Sequence, residues 1–176
     1  MPAAPPVRRI VVMGVQGSGK TTIGRLLAER LGWRFVDGDT LHSDEARARM
    51  ASGTPLTDED RHPWLERVGQ VLGSQAPVVV GCSALRRRYR DQLRRHAPDA
   101  VMVHGHADPE LLAARVAGRR HEYMPPQLLR SQLETLEPLQ DDEAGIVVDV
   151  GARPEDIVSE VVHRLGLRPD DDAAAS

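Results

Sequence analysis

Eight consecutive positions, Gly14-Val15-Gln16-Gly17-Ser18-Gly19-Lys20-Thr21, carry the strongest chemical signal in the chain. Glycines at this spacing let the backbone turn back on itself with its N–H groups pointing inward, a shape that cradles a polyphosphate. The apolar run Ile10–Met13 precedes the loop and a helical pattern opens at Thr21, so a helix N-terminus adds the positive end of its dipole. In such a loop Lys20 reaches the β- and γ-phosphates, and the Thr21 hydroxyl ligates Mg²⁺. Thr22 is grouped with the loop as the next helical residue.

A second group, Asp37-Gly38-Asp39, follows the next apolar run, Trp33–Val36. Carboxylates two apart on an extended chain point to the same side. Asp37 can then hold the Mg²⁺ shell while Asp39 accepts the proton of an attacking hydroxyl. Asp and Gly are also favoured turn residues, and it is the phosphate loop upstream that tips the reading towards function. A phosphate loop alone serves kinases, GTPases and motors alike. No guanine-reading Asn-Lys-x-Asp occurs, and the remaining length leaves no room for large effector elements, so a small-molecule kinase using ATP and Mg²⁺ fits best.

Elements that could position these groups are legible in the same way. Ile10–Met13, Trp33–Val36, Val78–Gly81, Ala100–Val103 and Ile146–Val150 are short, Val/Ile-rich and bounded by Gly, Pro or charge, which predicts five strands. Between them run helical periods. Ile23, Leu26, Leu27 and Leu31 share a face, as do Leu85, Tyr89 and Leu93, while Asp108-Pro109 and Pro154 look like helix openings. Near-continuous apolar strands alternating with helices predict an α/β fold: a three-layer α/β/α sandwich around a five-stranded parallel sheet. Two stretches exceed the alternation. Residues 38–75 hold two helical segments around Gly53-Thr54-Pro55 and are expected to form a substrate-binding insertion. Residues 119–138 hold a polar turn and then a helix with Leu128, Leu129, Leu133 and Leu136 on one face, expected to form a lid that excludes water from phosphoryl transfer.

Composition narrows the class further. The chain has 176 residues, enough for one ordinary domain, expected over 7–167 with disordered ends at 1–6 and 168–176. Its 23 basic and 26 acidic residues give a net charge of −3, which argues against nucleic acid or an anionic membrane as partner. One cysteine excludes an internal disulfide, and no apolar run could span a bilayer, so the cytoplasm is expected.

Longer blocks narrow the acceptor. Asp37-Gly38-Asp39-x-x-His42 is followed by Met50-Ala51-Ser52-Gly53-x-Pro55-Leu56-x-Asp58-x-Asp60-Arg61-x-Pro63-Trp64-Leu65. Then come Cys82-Ser83-Ala84-Leu85-x-x-x-Tyr89-Arg90-Asp91 and Met124-Pro125-x-x-Leu128-Leu129-x-Ser131-Gln132-x-x-Thr135-Leu136-Glu137. In this order, across residues 10–150, they resemble the gluconokinases, a family of P-loop small-molecule kinases. The resemblance implies transfer of the ATP γ-phosphoryl group to the 6-hydroxyl of D-gluconate, giving 6-phosphogluconate for the pentose phosphate pathway. It also implies a homodimer. A sugar acid needs Arg for its carboxylate and Asp or His for its hydroxyls. Asp39 is accordingly expected as base or hydroxyl positioner, Arg49 and Arg61 on the substrate with Arg86 from the third-strand block, and His42 on a hydroxyl. Arg119 and Arg120 are expected to stack on adenine or to stabilise charge on the transferred phosphoryl group when the lid closes.

The chain also departs from the family pattern. Ala46 stands where many members carry Asn, Arg49 and Arg86 where Lys is common, and Arg119-Arg120-His121-Glu122-Tyr123 replaces a Gly-His-Phe before Met-Pro. Other features have plainer readings. Cys82 is expected to pack, since phosphoryl transfer to a hydroxyl needs no covalent intermediate. His104-x-His106 lacks the further ligands of a zinc site. The Arg86–Arg95 cluster lacks stacking aromatics and reads as a solvated helix face with Arg86 near the substrate. Two rivals remain: a shikimate kinase, which also carries Asp-x-Asp after its second strand but lacks the Trp64 and Cys82 blocks, and a non-catalytic nucleotide binder, which would not need the acceptor-side carboxylates.

Overall fold

The computed structural model describes residues 2–118 and 126–169. Along the chain run β1 (Arg9–Met13), α1 (Lys20–Leu31), β2 (Arg34–Asp37), a 3₁₀ turn (Gly38–Leu41), α2 (Asp44–Ala51), α3 (Asp58–Ser74) and β3 (Val78–Gly81). They are followed by α4 (Arg87–His96), β4 (Val101–His106), α5 (Pro109–Ala117), α6 (Pro126–Thr135), β5 (Gly145–Asp149) and α7 (Pro154–Leu165). Each predicted strand forms, within a residue or so at its start, except that β4 continues through His106 because the strands on both sides keep pairing with it. Residues 2–6 are exposed and lie outside any helix or strand; the tail from 170 lies outside the described residues.

All recorded pairings are parallel, in the order β2-β3-β1-β4-β5. A parallel sheet is covered by its crossover helices, and the inner strands show it: Ile10, Val11, Val12, Met13, Val78, Val79 and Val80 are fully buried. The edge strands are not sealed, and Val147 on β5 is 45% exposed. The chain leaves β1 for β2 and β3 on one side and returns to β4 and β5 on the other. The carboxyl end of β1 is thus a topological switch point, where a crevice opens in sheets of this kind.

Local sequence explains the ends of the elements. Ser43 caps α2 through Ala46 N, and Thr57 and Asp60 form a reciprocal capping box on α3. Pro109 and Pro154 occupy first-turn positions of α5 and α7, where the missing N–H would have had no helical partner. On α6, Leu128 and Leu129 are buried; Leu129 joins the main core, and Leu133 and, just past the helix, Leu136 pack against it.

The arginine-rich stretch differs from expectation. Arg90 is fully buried, its Nε 2.7 Å from Glu143 Oε1 and its Nη2 2.9 Å from Glu143 Oε2, with Nη1 donating to the Ala84 carbonyl at 3.0 Å. Arg94 joins Glu143 at 2.9 Å, and Arg87 pairs with Asp91 and Asp142. These arginines fasten α4 to the segment before β5 rather than forming a solvated face. Leu85, expected on the helix, lies two residues before α4 begins.

Candidate active site

Strand ends gather the chemistry at one edge of the sheet. The phosphate loop follows β1, Asp37 ends β2, Cys82 and Ser83 follow β3, and Val150 and Ala152 follow β5. The loop's Gly14 N–H donates to the Ser83 carbonyl at 3.3 Å, which fastens the first of these segments to the third.

Helix α1 starts without a side-chain cap. Its N-cap is Gly19 at φ 77°, with no acid in the first turn, whereas α2 and α3 are both capped by hydroxyls. A helix start left this way offers N–H groups and positive dipole to an anion. Gly17, at φ 82°, adopts a turn that side chains resist, and a Cβ there would stand 3.0 Å from the Leu112 carbonyl. Two polar atoms in the loop, Gln16 Oε1 and Ser18 Oγ, are buried without a hydrogen-bond partner. Buried polar atoms are nearly always satisfied, so orphans in a glycine loop fit a polar ligand such as a polyphosphate.

Beside the loop opens a cleft of about 360 Å³ lined by Gly17–Gly19, Thr22, Arg115, Gly118, Val150, Ala152 and Pro154. Arg115 spans it, donating to the Gly17 carbonyl at 3.3 Å and the Val150 carbonyl at 2.6 Å. The sequence reading looked one turn further on, to Arg119 and Arg120, which lie outside the described residues. Arg115 was missed because its only local signal is a basic residue in the last turn of α5. Thr22 is exposed and lines the cleft.

Across the loop stand the carboxylates. Asp39 lies in the 3₁₀ turn rather than on a strand, and Asp37 Oδ1 accepts its N–H at 3.0 Å. The pair is therefore organised by a turn and not by the pleat. Burial raises the Asp37 pKa and the Asp39 charge raises it further, with Lys20 and Arg25 opposing. Two carboxylates crowded in this way favour a divalent cation, and Mg²⁺ needs only one or two protein oxygens because it keeps several waters. Gly38 between them is required sterically, since a Cβ would meet the Gly81 carbonyl at 2.4 Å.

His42 closes the turn. It is buried and stacks on Trp64 at 4.0 Å between centroids, and Trp64 Nε1 donates to the Gly38 carbonyl at 2.8 Å. Burial pushes the His42 pKa down to about 4 against the pull of Asp39, so the ring is neutral near pH 7. Its Nδ1 is buried without a partner. Arg47 and Arg67, which the sequence reading passed over, hold the turn's carbonyls at Thr40 (2.5 Å) and Leu41 (2.7 Å).

The predicted substrate arginines are partly engaged. Arg61 Nη1 donates to the Leu56 carbonyl at 2.6 Å and to Tyr89 Oη at 3.2 Å, while Tyr89 Oη and Arg88 both bind Asp58. Arg61 also acts on the His42 charge, so it belongs to this cluster. Arg49 pairs with Asp60 at 2.8 Å in the first turn of α3. Arg86 is half-buried with its Nε orphaned. Ala46, also buried, presents only a methyl group. Cys82 is fully buried and its thiol is pushed up to about 12, first by burial and then by Asp39, which makes it a packing residue. His104 and His106 meet edge to edge at 6.1 Å, and no group of three metal-ligating side chains occurs among the described residues.

Known proteins share both sequence and shape with the chain. The shikimate kinase family model matches residues 16–166. A gluconokinase from Gluconobacter oxydans is 43% identical over 162 residues, covering 90% of this chain and 91% of its own. A solved gluconokinase from Sinorhizobium meliloti superposes with a TM-score of 0.85 at 44% identity, covering 93% of this chain and 94% of its own. A solved shikimate kinase from Bacteroides thetaiotaomicron, at 18% identity and TM-score 0.68, covers 90% of this chain and 98% of its own and shares the fold alone.

Proposed function

The chain belongs to the gluconokinase family of P-loop kinases, and from that premise we propose how its residues phosphorylate D-gluconate on the 6-hydroxyl to give 6-phosphogluconate. The observation that carries the reading is the meeting of a phosphate loop bearing Lys20 with a half-buried Asp37, an exposed Asp39 and a neutral His42 at one sheet edge.

ATP is the phosphoryl donor. Gly14–Thr21 and Thr22 hold its phosphates and its base takes the cleft beside Arg115 and Pro154; Arg119 and Arg120, outside the described residues, are assigned to adenine or to the charge on the transferred phosphoryl group by the resemblance. Thr21 and Asp37 hold Mg²⁺, which supplies charge neutralisation at the transferred phosphoryl group. Asp39 takes the proton of the gluconate 6-hydroxyl as that oxygen bonds to the γ-phosphorus; the bond to the β,γ-bridging oxygen breaks, and ADP leaves with the electron pair. Lys20 follows the charge onto the leaving phosphate. Arg61, Arg49 and Arg86 bind the acceptor's carboxylate or hydroxyls, and the orphaned His42 Nδ1 accepts from a hydroxyl. Ala46 cannot, so a contact made there by Asn in relatives is missing. The resemblance alone supports a cytoplasmic homodimer; no helix among the described residues is long and apolar enough to cross a membrane.

A coupled assay of ADP release over gluconate, other sugar acids, shikimate and nucleoside monophosphates tests the reading. Gluconate-dependent turnover is expected. Turnover with shikimate and not gluconate, or none with any acceptor, overturns it.

A further inference from the structure

A side chain of helix α6 hydrogen-bonds the phosphate loop. The backbone N–H of Gln16 donates to Gln132 Oε1 at 2.6 Å, across 116 residues of sequence. Just past the helix, the chain holds the connection from β3 to α4: Glu137 N–H donates to the Leu85 carbonyl at 2.7 Å, and Glu137 Oε1 accepts the Arg87 N–H at 2.9 Å. With the Gly14 to Ser83 bond, these contacts close a ring of loop, post-β3 segment and α6. Gln132 supplies a hydrogen bond between α6 and the loop.

We propose that Gln132 is a positioning residue for the phosphate loop: its side-chain oxygen fixes the Gln16 amide, and with it the curve on which the phosphates lie. The inference rests on the kinase reading. A Gly-rich loop has wide backbone freedom, so an ordered cradle needs fixed points outside the loop. A neutral amide supplies one without adding negative charge beside a polyphosphate, which a carboxylate would do.

The test uses the full chain. Gln132→Met keeps length and helix propensity but removes the acceptor. It is expected to weaken ADP binding in calorimetry about five- to tenfold, the scale of one hydrogen bond. It should also speed amide exchange at Gln16, with KM for gluconate and the melting temperature little changed. Gln132→Glu keeps the acceptor, so Gln16 exchange should stay slow while ADP binds more weakly at low salt and recovers as salt screens the added charge. ADP affinity within about twofold of wild type in Gln132→Met, with unchanged Gln16 exchange, overturns the proposal. If Gln132→Met does not fold, salt-independent ADP affinity in Gln132→Glu does so instead. Failure of the kinase reading would show separately, as absent gluconate turnover in the wild-type chain.

Discussion

Asp39 acts electrostatically on three neighbours. Burial and then Asp39 raise the pKa of Asp37 and Cys82, whereas at His42 the Asp39 charge opposes the larger, lowering effect of burial. Asp39 is itself exposed, open to an acceptor. Asp39→Asn keeps size and the turn's backbone bond but cannot take a proton. It is expected to lower kcat by about 10²–10⁴-fold while ADP binding holds. Steady-state kinetics beside calorimetry measures both, and an unchanged kcat removes the base role. The carboxylate pair was legible in the sequence because Asp-Gly-Asp after an apolar run is a local pattern. The reason first assigned to it, strand pleat, was not correct: the chain leaves the sheet at Gly38, and the Asp37 side chain caps the turn that follows. His42 was also legible, but its neutrality was not, because that comes from burial among distant segments, Trp64 of α3 stacked on it among them, with Arg47, Arg67 and Arg61 adding to it.

At the scale of elements, the turn between β2 and α2 is the part least able to change. The obstacle to a side chain at Gly38 is the backbone carbonyl of Gly81 on the adjacent strand, which cannot swing aside. Gly38→Ala is therefore expected to cost about 1–3 kcal/mol and to displace Asp39, with loss of turnover greater than loss of fold. Thermal melts and kcat on the same preparation check this; wild-type values for both would mean the turn relaxes without consequence. Strands and helix starts were readable in advance since apolar runs, hydroxyl caps and first-turn prolines act within a few residues. The expected lid and insertion stood out in the sequence only as departures from the alternation.

Across the whole molecule, buried charge and buried imidazole set the response to pH. The carboxylate of Glu143 is enclosed by Arg90 and Arg94. Burial opposes its charge, but the bonds from Arg90, the Gln140 N–H and Arg94 win and hold its pKa at about 2. Glu143→Gln leaves the buried Arg90 guanidinium with no anion and Arg94 with Asp91 alone, and is expected to cost about 3–5 kcal/mol in urea unfolding. Replacing Arg90 and Glu143 together by apolar residues should cost less than the single change, and the reverse order would contradict this account. His42 and His104 lie below their unfolded value of 6.5, at about 4, each mainly through burial. The unfolded chain then binds more protons, so stability is complete above pH 6.5 and falls towards pH 4, by on the order of 3 kcal/mol for each ring. Glu143 works lower down, its contribution present above about pH 4.5 and lost towards pH 2. Urea midpoints from pH 8 to 5 should decline from about 6.5; a flat profile would mean the imidazoles are hydrated.

By itself the sequence determined what depends on near neighbours: the phosphate loop and its lysine, the apolar strands, the turn carboxylates, and blocks specific enough to name the family. Tertiary structure decided what depends on which distant segments meet. The order β2-β3-β1-β4-β5 brings the ends of four strands to one crevice. Arg115 reaches the cleft beside the phosphate loop from α5, Arg90 turns from an expected surface charge into a buried one, and Gln132 finds the phosphate loop across 116 residues. No spacing rule encodes these contacts, because each is set by packing between helices and strands whose separation along the chain says nothing of their distance in space.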